Sequence, residues 1–135
     1  MSTDCKERLS QALKDRLADL RAFAETGFDD RINEDGNREE FNSYGLCFDY
    51  VPRGTFEGQR RGYYRYQLSW GGPGDEFRFY CDETRTPVKI EYWFLDWFDG
   101  ASKRLTGINE ALLVQVFDLF EELEMVGEKA EAAYA

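Results

Sequence analysis

Four short segments in the middle of the chain alternate between apolar and polar residues, and this period-two pattern constrains the fold more than any other feature. Each segment is rich in aromatic or β-branched side chains, and together they cover residues 44–51, 63–70, 76–81 and 88–95. Glycine, proline and aspartate fill the connections, as in Gly71-Gly72-Pro73-Gly74. Because short connections favour antiparallel neighbours, the sequence predicts a four-stranded antiparallel meander over residues 44–95, with Asp99-Gly100 closing the strand region.

The chain shows helical periodicity on either side of this sheet. In residues 3–26 the apolar stripe consists of Leu9, Leu13, Leu17, Leu20 and Ala24. In residues 108–126 it consists of Leu112, Val116, Leu119, Phe120 and Leu123. The sequence therefore predicts a single α+β domain over residues 1–135, in the order α-β-β-β-β-α, with both helices on one sheet face. Residues 28–43 are expected to form an acidic loop, and residues 127–135 an alanine-rich tail.

The other face of the predicted sheet carries aromatic and charged side chains together. The alternation places there Tyr63, Arg65, Gln67, Arg78, Tyr80, Lys89, Glu91 and Trp93. A sheet face of this mixed character is a place where a partner can bind.

The charge balance indicates which partners the chain is suited to. With 17 lysines and arginines against 27 acids, the formal net charge is −10. This sign opposes binding to nucleic acid or to an anionic membrane, and it favours a basic protein partner. The acids of the loop and the second helix form a candidate partner-binding acidic surface, and acids spaced in this way can imitate the charge rows of a duplex. A solvated surface that only aids solubility is the alternative. The candidate residues are Asp29, Asp30, Glu34, Asp35, Glu39, Glu40, Asp118, Glu121, Glu122 and Glu124.

The residues that usually carry catalysis or bind metals are scarce. The chain has no histidine, so neither a Ser-His nor a Cys-His nucleophile pair can form. Its three cysteines, Cys5, Cys47 and Cys81, lack metal-ligand spacing and are expected to be free thiols, with Cys47 and Cys81 in the core. We therefore expect no catalytic residues, metal or cofactor. The chain shows neither a signal peptide nor an apolar stretch of membrane-spanning length, so the expected location is cytoplasmic.

Two other groups of residues suggest alternative sites. Carboxylates lie among aromatic residues in the segment 90–100, where an aromatic pocket would consist of Glu91, Trp93, Asp96, Trp97 and Asp99. This pocket would make the chain a small enzyme or a ligand-binding domain, but the two aspartates can equally cap a turn. A basic cluster, Arg53, Arg60, Arg61 and Arg65, is interleaved with tyrosines, a combination that can bind single-stranded nucleic acid, although the net charge opposes it.

The segments 69–78 and 90–100 resemble small uncharacterised proteins carried by bacterial plasmids and other mobile elements. The resemblance covers residues 44–107 and leaves both predicted helices unmatched. Proteins of such elements include anti-CRISPR and antirestriction inhibitors, so the resemblance implies a non-enzymatic inhibitor that presents its acidic surface to a basic nucleic-acid-binding protein. It transfers no site residues. A small enzyme or ligand-binding domain is one alternative function, and a homodimeric assembly module is another.

Overall fold

The computed structural model describes residues 3–28, 31–32, 35–70, 73–96 and 99–123. The helices are α1 (Thr3–Glu25), α2 (Phe41–Tyr44) and α3 (Gly107–Glu122). The strands are β1 (Arg31–Ile32), β2 (Arg38–Glu39), β3 (Cys47–Val51), β4 (Tyr63–Ser69), β5 (Gly74–Cys81), β6 (Pro87–Asp96) and β7 (Asp99–Arg104). The predicted α+β class and the helices at the two ends of the fold are confirmed.

The main sheet is an antiparallel meander in the order β3-β4-β5-β6-β7. The prediction of four strands is wrong, because β7 adds a fifth. Asp99-Gly100 does not close the strand region but begins β7, whose Asp99 pairs with Asp96 of β6. The strand escaped prediction because its sequence, DGASKR, contains one apolar side chain, that of Ala101, which is buried.

The core lies between the sheet and one layer of helices, α1 and α3, which we call the helix layer. Four predicted α1 leucines, Leu9, Leu13, Leu17 and Leu20, are buried in this core. They pack in one cluster with α3 and with inward rings of the sheet such as Phe77 and Phe79. The predicted stripes were too narrow, since Phe23, Leu113 and Phe117 are also fully buried. No helix in the described ranges is long and apolar enough to span a membrane.

The segment predicted as an acidic loop, residues 28–43, contains regular structure. Its short strands β1 and β2 pair with each other, and α2 follows them. The helix α2 forms because Phe41 inserts into the core, where its ring contacts Phe23 and Phe120. Tyr44, predicted to open the first strand, belongs to α2.

Three side chains near strand ends are more exposed than the alternation predicted. Leu46 precedes β3 and Trp70 follows β4, and both are exposed because they lie beyond the paired residues. Cys47 is exposed rather than buried in the core, because it lies on the sheet face away from the helices, whereas Cys81 is buried as expected. Residues 124–126, the predicted end of the second helix, and the whole tail at residues 127–135 lie outside the described residues.

A buried ionic network holds α1 against β5. The side chain of Asp75 is 4% exposed, and it accepts hydrogen bonds from Arg16 Nε at 2.8 Å and Arg16 Nη2 at 3.0 Å. The hydroxyls of Tyr92, at 2.6 Å, and of Ser69 also donate to it. Burial alone would raise the pKa of Asp75, but these donors outweigh it and lower the pKa below its usual value. The network fixes the helix layer on one sheet face and leaves the other face open.

Candidate functional site

The open face of the sheet carries a cavity lined by described residues, which we call the open-face groove. Its volume is about 700 Å³. Alternate residues of β4, β5 and β6 form its floor, and residues 56–61 of the loop between β3 and β4 form one wall. The volume is that of a site for a small organic molecule, which proteins usually bind in cavities of roughly 300–1,000 Å³.

The strand register arranges the floor in three rows that cross the sheet. The first row pairs Tyr80 with Lys89 and lies next to the wall. The middle row pairs Arg78 with Arg65 on one side and with Glu91 on the other. In the third row, Glu76 lies between Gln67 and Trp93. Because side chains alternate along a strand, all three rows face away from the helix layer.

Arg78 occupies the centre of the open-face groove in a fixed position. Its guanidinium carbon lies 3.9 Å from the centroid of the Trp93 ring and 4.7 Å from that of Tyr63. Its Nε donates to Glu76 Oε2 at 2.7 Å, and the Glu76 side chain is 4% exposed. A guanidinium held by two rings and a buried carboxylate is both neutralised and preorganised.

Arg65 is neutralised in a similar way at the β3 side of the sheet. Its Nε and Nη2 donate to the two carboxylate oxygens of Asp49, at 3.0 Å and 2.7 Å. This hydrogen-bonded pairing raises the pKa of Arg65. The middle row therefore offers little unbalanced charge to a ligand.

The end of the open-face groove next to the wall is cationic. Lys89 Nζ lies 4.4 Å from the Tyr80 ring centroid, and the Arg61 guanidinium lies 5.8 Å from the same centroid. Arg61 also donates to the backbone carbonyl of Cys81 at 3.1 Å, and Arg60 lines the same end. Burial, together with the nearby Glu91 carboxylate, raises the pKa of Tyr80 to about 12, so its phenol is neutral at physiological pH.

Tyr63 lies at the base of this cationic end and has an unsatisfied polar atom. The residue is 1% exposed, and its hydroxyl has no hydrogen-bond partner within the described part of the chain. Burial raises its pKa, so the hydroxyl stays protonated. An unsatisfied buried hydroxyl costs roughly 1–3 kcal/mol, which makes Tyr63 a hydrogen-bonding group that an occupant or an ordered water would complete.

The open-face groove coincides with the sheet face that the alternation predicted. Of the eight side chains assigned there, all except Glu91 line it, and Trp93 Nε1 donates to Glu91 Oε1 at 3.1 Å. The basic cluster divides: Arg60, Arg61 and Arg65 line the groove, whereas Arg53 does not. Sequence reasoning missed the contributions of Phe56 and the buried Glu76. The excess of cations at alternate positions was the signal that could have found the site.

Two carboxylates of the predicted aromatic pocket, those of Glu91 and Asp96, do not converge. Glu91 lies on the open face, whereas Asp96 lies on the helix side and accepts a hydrogen bond from Arg8 of α1. Asp99 begins β7, but its side chain lies outside the described part of the structure, as does all of Trp97. The described cavity that contains Trp93 is therefore lined by more cations than acids, unlike the pocket predicted from these residues.

Half of the predicted acidic surface falls within the described side chains. Asp35, Glu40, Asp118, Glu121 and Glu122 are all exposed. Asp29, Asp30, Glu34 and Glu124 lie outside the described residues, and the side chain of Glu39 is not described. Within its bounds α3 has four acids and neither lysine nor arginine. The described acids of α3 belong to the helix layer, across the sheet from the open-face groove.

Comparison with known proteins adds no guide to function. No protein family, no curated protein and no solved structure matches the chain. The resemblance to proteins of mobile elements stays a prediction.

Proposed function

We propose that the chain is a binding domain that holds an anionic ligand in the open-face groove. The observation that carries this proposal is the local reversal of charge. The chain as a whole has a net charge of −10, yet beyond the paired Arg65 and Arg78 the groove lining still has three cations and one carboxylate, that of Glu57. A cleft of one sign focuses the electrostatic field, so it attracts anions even when the rest of the surface repels them.

The arrangement of the rings favours recognition of charge over stacking of nucleic-acid bases. Base stacking needs an uncovered aromatic face. In the open-face groove, Arg78 covers the rings of Trp93 and Tyr63, and Lys89 covers the ring of Tyr80. These three rings of the floor therefore serve to position cations, and a ligand on the floor would meet the ammonium and guanidinium groups.

The indole N–H of Trp93 is a natural reporter for this proposal, because it lines the groove and donates to Glu91. The ¹⁵N-labelled protein would be titrated with decanoate, benzoate, citrate and inorganic phosphate, and Trp93→Phe would assign the signal. We expect at least one anion to shift it in a saturable way, less strongly at high salt. The double variant Arg60→Glu, Lys89→Glu should bind about tenfold more weakly or worse.

The matched control is Lys14→Glu, which changes an exposed charge on α1, in the helix layer. It should bind the same anion as the unmodified protein does. The proposal is wrong if none of the four anions shifts the Trp93 signal at millimolar concentration. Equal loss of binding in the control variant would also contradict it, because the effect would then come from net charge.

The acidic surface supports a second candidate function, the inhibitor of a basic nucleic-acid-binding protein. The observation in its favour is the uniform sign of α3, where Asp118, Glu121 and Glu122 are exposed without a basic residue in the helix. An anti-CRISPR or antirestriction factor would slow DNA cleavage by the corresponding nuclease. Neutralising these acids as Asp118→Asn, Glu121→Gln and Glu122→Gln should abolish that effect. Equal inhibition by the variant, or none by the unmodified protein, would exclude it.

A further inference from the structure

From the asymmetry of the open-face groove we infer that its ligand is an elongated amphipathic anion, with one acidic head group beside Lys89 and an apolar chain extending along β6 past Trp93 to Leu95. This inference rests on the proposed anion-binding function and adds the class of ligand to it.

The head group is assigned to the end where positive charge is least balanced. Arg65 and Arg78 of the middle row already hold Asp49 and Glu76. At the wall end, by contrast, Arg60 and Lys89 share the lining with one carboxylate, that of Glu57, and the Glu91 carboxylate beside Tyr80 lies outside the lining. A carboxylate, sulfonate or phosphate head placed there would meet Lys89 and Arg60 without displacing the Arg65–Asp49 pair or the Arg78–Glu76 pair.

The opposite end of the groove presents apolar surface. Leu95 has a glycine opposite it on each side, since it pairs with Gly74 of β5 and with Gly100 of β7. Neither neighbour has a side chain to cover it, and Leu95 is half-buried next to the half-buried indole of Trp93. The acid in this row, Glu76, is already paired with Arg78 and is 3% exposed. This end therefore suits a hydrocarbon chain better than a second charge.

A second cavity extends the apolar path beyond Leu95. It has a volume of about 330 Å³ and shares Gln67, Glu76 and Leu95 with the open-face groove. Trp70, which is 77% exposed, also lines this second cavity. A strand rises by about 3.3 Å per residue, so Lys89 and Leu95 are roughly 20 Å apart along β6. A compact anion would fill only the head-group end, whereas a chain of that length would use the whole path.

The test is calorimetric binding of an n-alkanoate series from hexanoate to dodecanoate, with decanol and citrate as comparison ligands. We expect affinity to increase roughly threefold to fourfold per methylene group. Decanol, which lacks the charge, and citrate, which lacks the chain, should both bind at least tenfold more weakly than decanoate. Lys89→Gln should weaken the binding of decanoate and leave the binding of decanol unchanged. Leu95→Asn should reduce the gain per methylene, and Lys14→Gln should alter neither property.

The outcomes separate this inference from the proposed function. If citrate and all alkanoates bind equally well, and Lys89→Gln weakens the binding of each, the groove binds anions but the inference of an amphipathic ligand is wrong. If decanol binds as well as decanoate, the acidic head group is wrong, and the proposed function loses its support as well. If no alkanoate binds, the amphipathic ligand is wrong, and the proposed function fails with it if benzoate, citrate and inorganic phosphate also leave the Trp93 signal unchanged. Circular dichroism of each variant would verify that the fold is retained.

Discussion

Replacing Arg16 with methionine should destabilise the fold in a way that depends on pH. Methionine keeps the apolar stem of the side chain but removes both hydrogen bonds to Asp75. Removing one partner of a buried ion pair costs about 3–5 kcal/mol. The Arg16 side chain is 24% exposed, and Ser69 and Tyr92 still donate to Asp75 in the variant. We therefore expect a loss of roughly 2–3 kcal/mol at pH 7, below the range for a fully buried pair.

The sign of the pH effect follows from the pKa of Asp75. In the unmodified protein this pKa is lowered, so the contribution of Asp75 to stability is present above the unfolded value and is lost as the pH falls below about 4. In Arg16→Met, the effect of burial is no longer balanced by the guanidinium, so we expect the pKa of Asp75 to rise. Its protonation then relieves the buried charge, and the stability gap between variant and unmodified protein should narrow on acidification from pH 7 to pH 4.

Urea denaturation followed by circular dichroism at pH 7 and pH 4 measures both effects. The slope of the unfolding free energy against urea should stay constant. The control is Arg21→Met, on the same helix, which removes an exposed hydrogen bond to Asn109 and should cost less than about 1 kcal/mol. A loss below about 1 kcal/mol for Arg16→Met, or an equal loss at both pH values, would refute the assignment of this network as the tie between α1 and β5.

Three further predictions concern other parts of the fold. Gly45→Ala should lower the free energy of unfolding measured in urea by roughly 1–3 kcal/mol, because the new Cβ would lie 2.4 Å from Tyr66 Cε1. An unchanged free energy of unfolding would contradict the packing described around α2. Cys47 should react with a thiol reagent in the folded protein, whereas Cys81 should react only on unfolding. Mass spectrometry of partly labelled protein measures which cysteine reacts first. Labelling of Cys81 before Cys47 would contradict the prediction. Stability should decrease as the pH rises above about 10, because burial raises the pKa of several tyrosines and the folded state retains protons that the unfolded chain releases. The tyrosines concerned are Tyr44, Tyr63, Tyr66, Tyr80 and Tyr92. Thermal unfolding between pH 8 and pH 11 measures this decrease in stability. A constant melting temperature over that range would contradict the prediction.

The sheet was largely predictable because its sequence signal is local. Alternation within β4, β5 and β6 assigns each side chain to a face, and seven of the eight predicted open-face side chains line the groove. The strand β7 gave no such signal, since Ala101 is its one apolar side chain. Glu91 and Asp96 are five residues apart, and side chains an odd number of residues apart on a strand point to opposite faces. The sequence alone therefore places these two carboxylates on opposite faces of the sheet.

The character of the site was harder to predict than its place in the fold. A net charge of −10 describes the whole chain and conceals a local excess of cations. The folding of residues 56–61 into a wall, and the placement of Arg78 between Trp93 and Tyr63, are tertiary contacts without a periodic signal. The hydrogen bond between Arg78 and Glu76, two residues earlier on β5, likewise depends on burial in the folded protein.

The most direct test of the central claim is to map where an anion binds. Backbone amide shifts of the ¹⁵N-labelled protein would be recorded during titration with decanoate. We expect shifts confined to the open-face residues of β4, β5 and β6 and to the wall at residues 56–61, with the amides of α3 unchanged. Shifts concentrated on α3, or absent from the wall and from Lys89, Trp93 and Leu95, would contradict the open-face groove as the binding site.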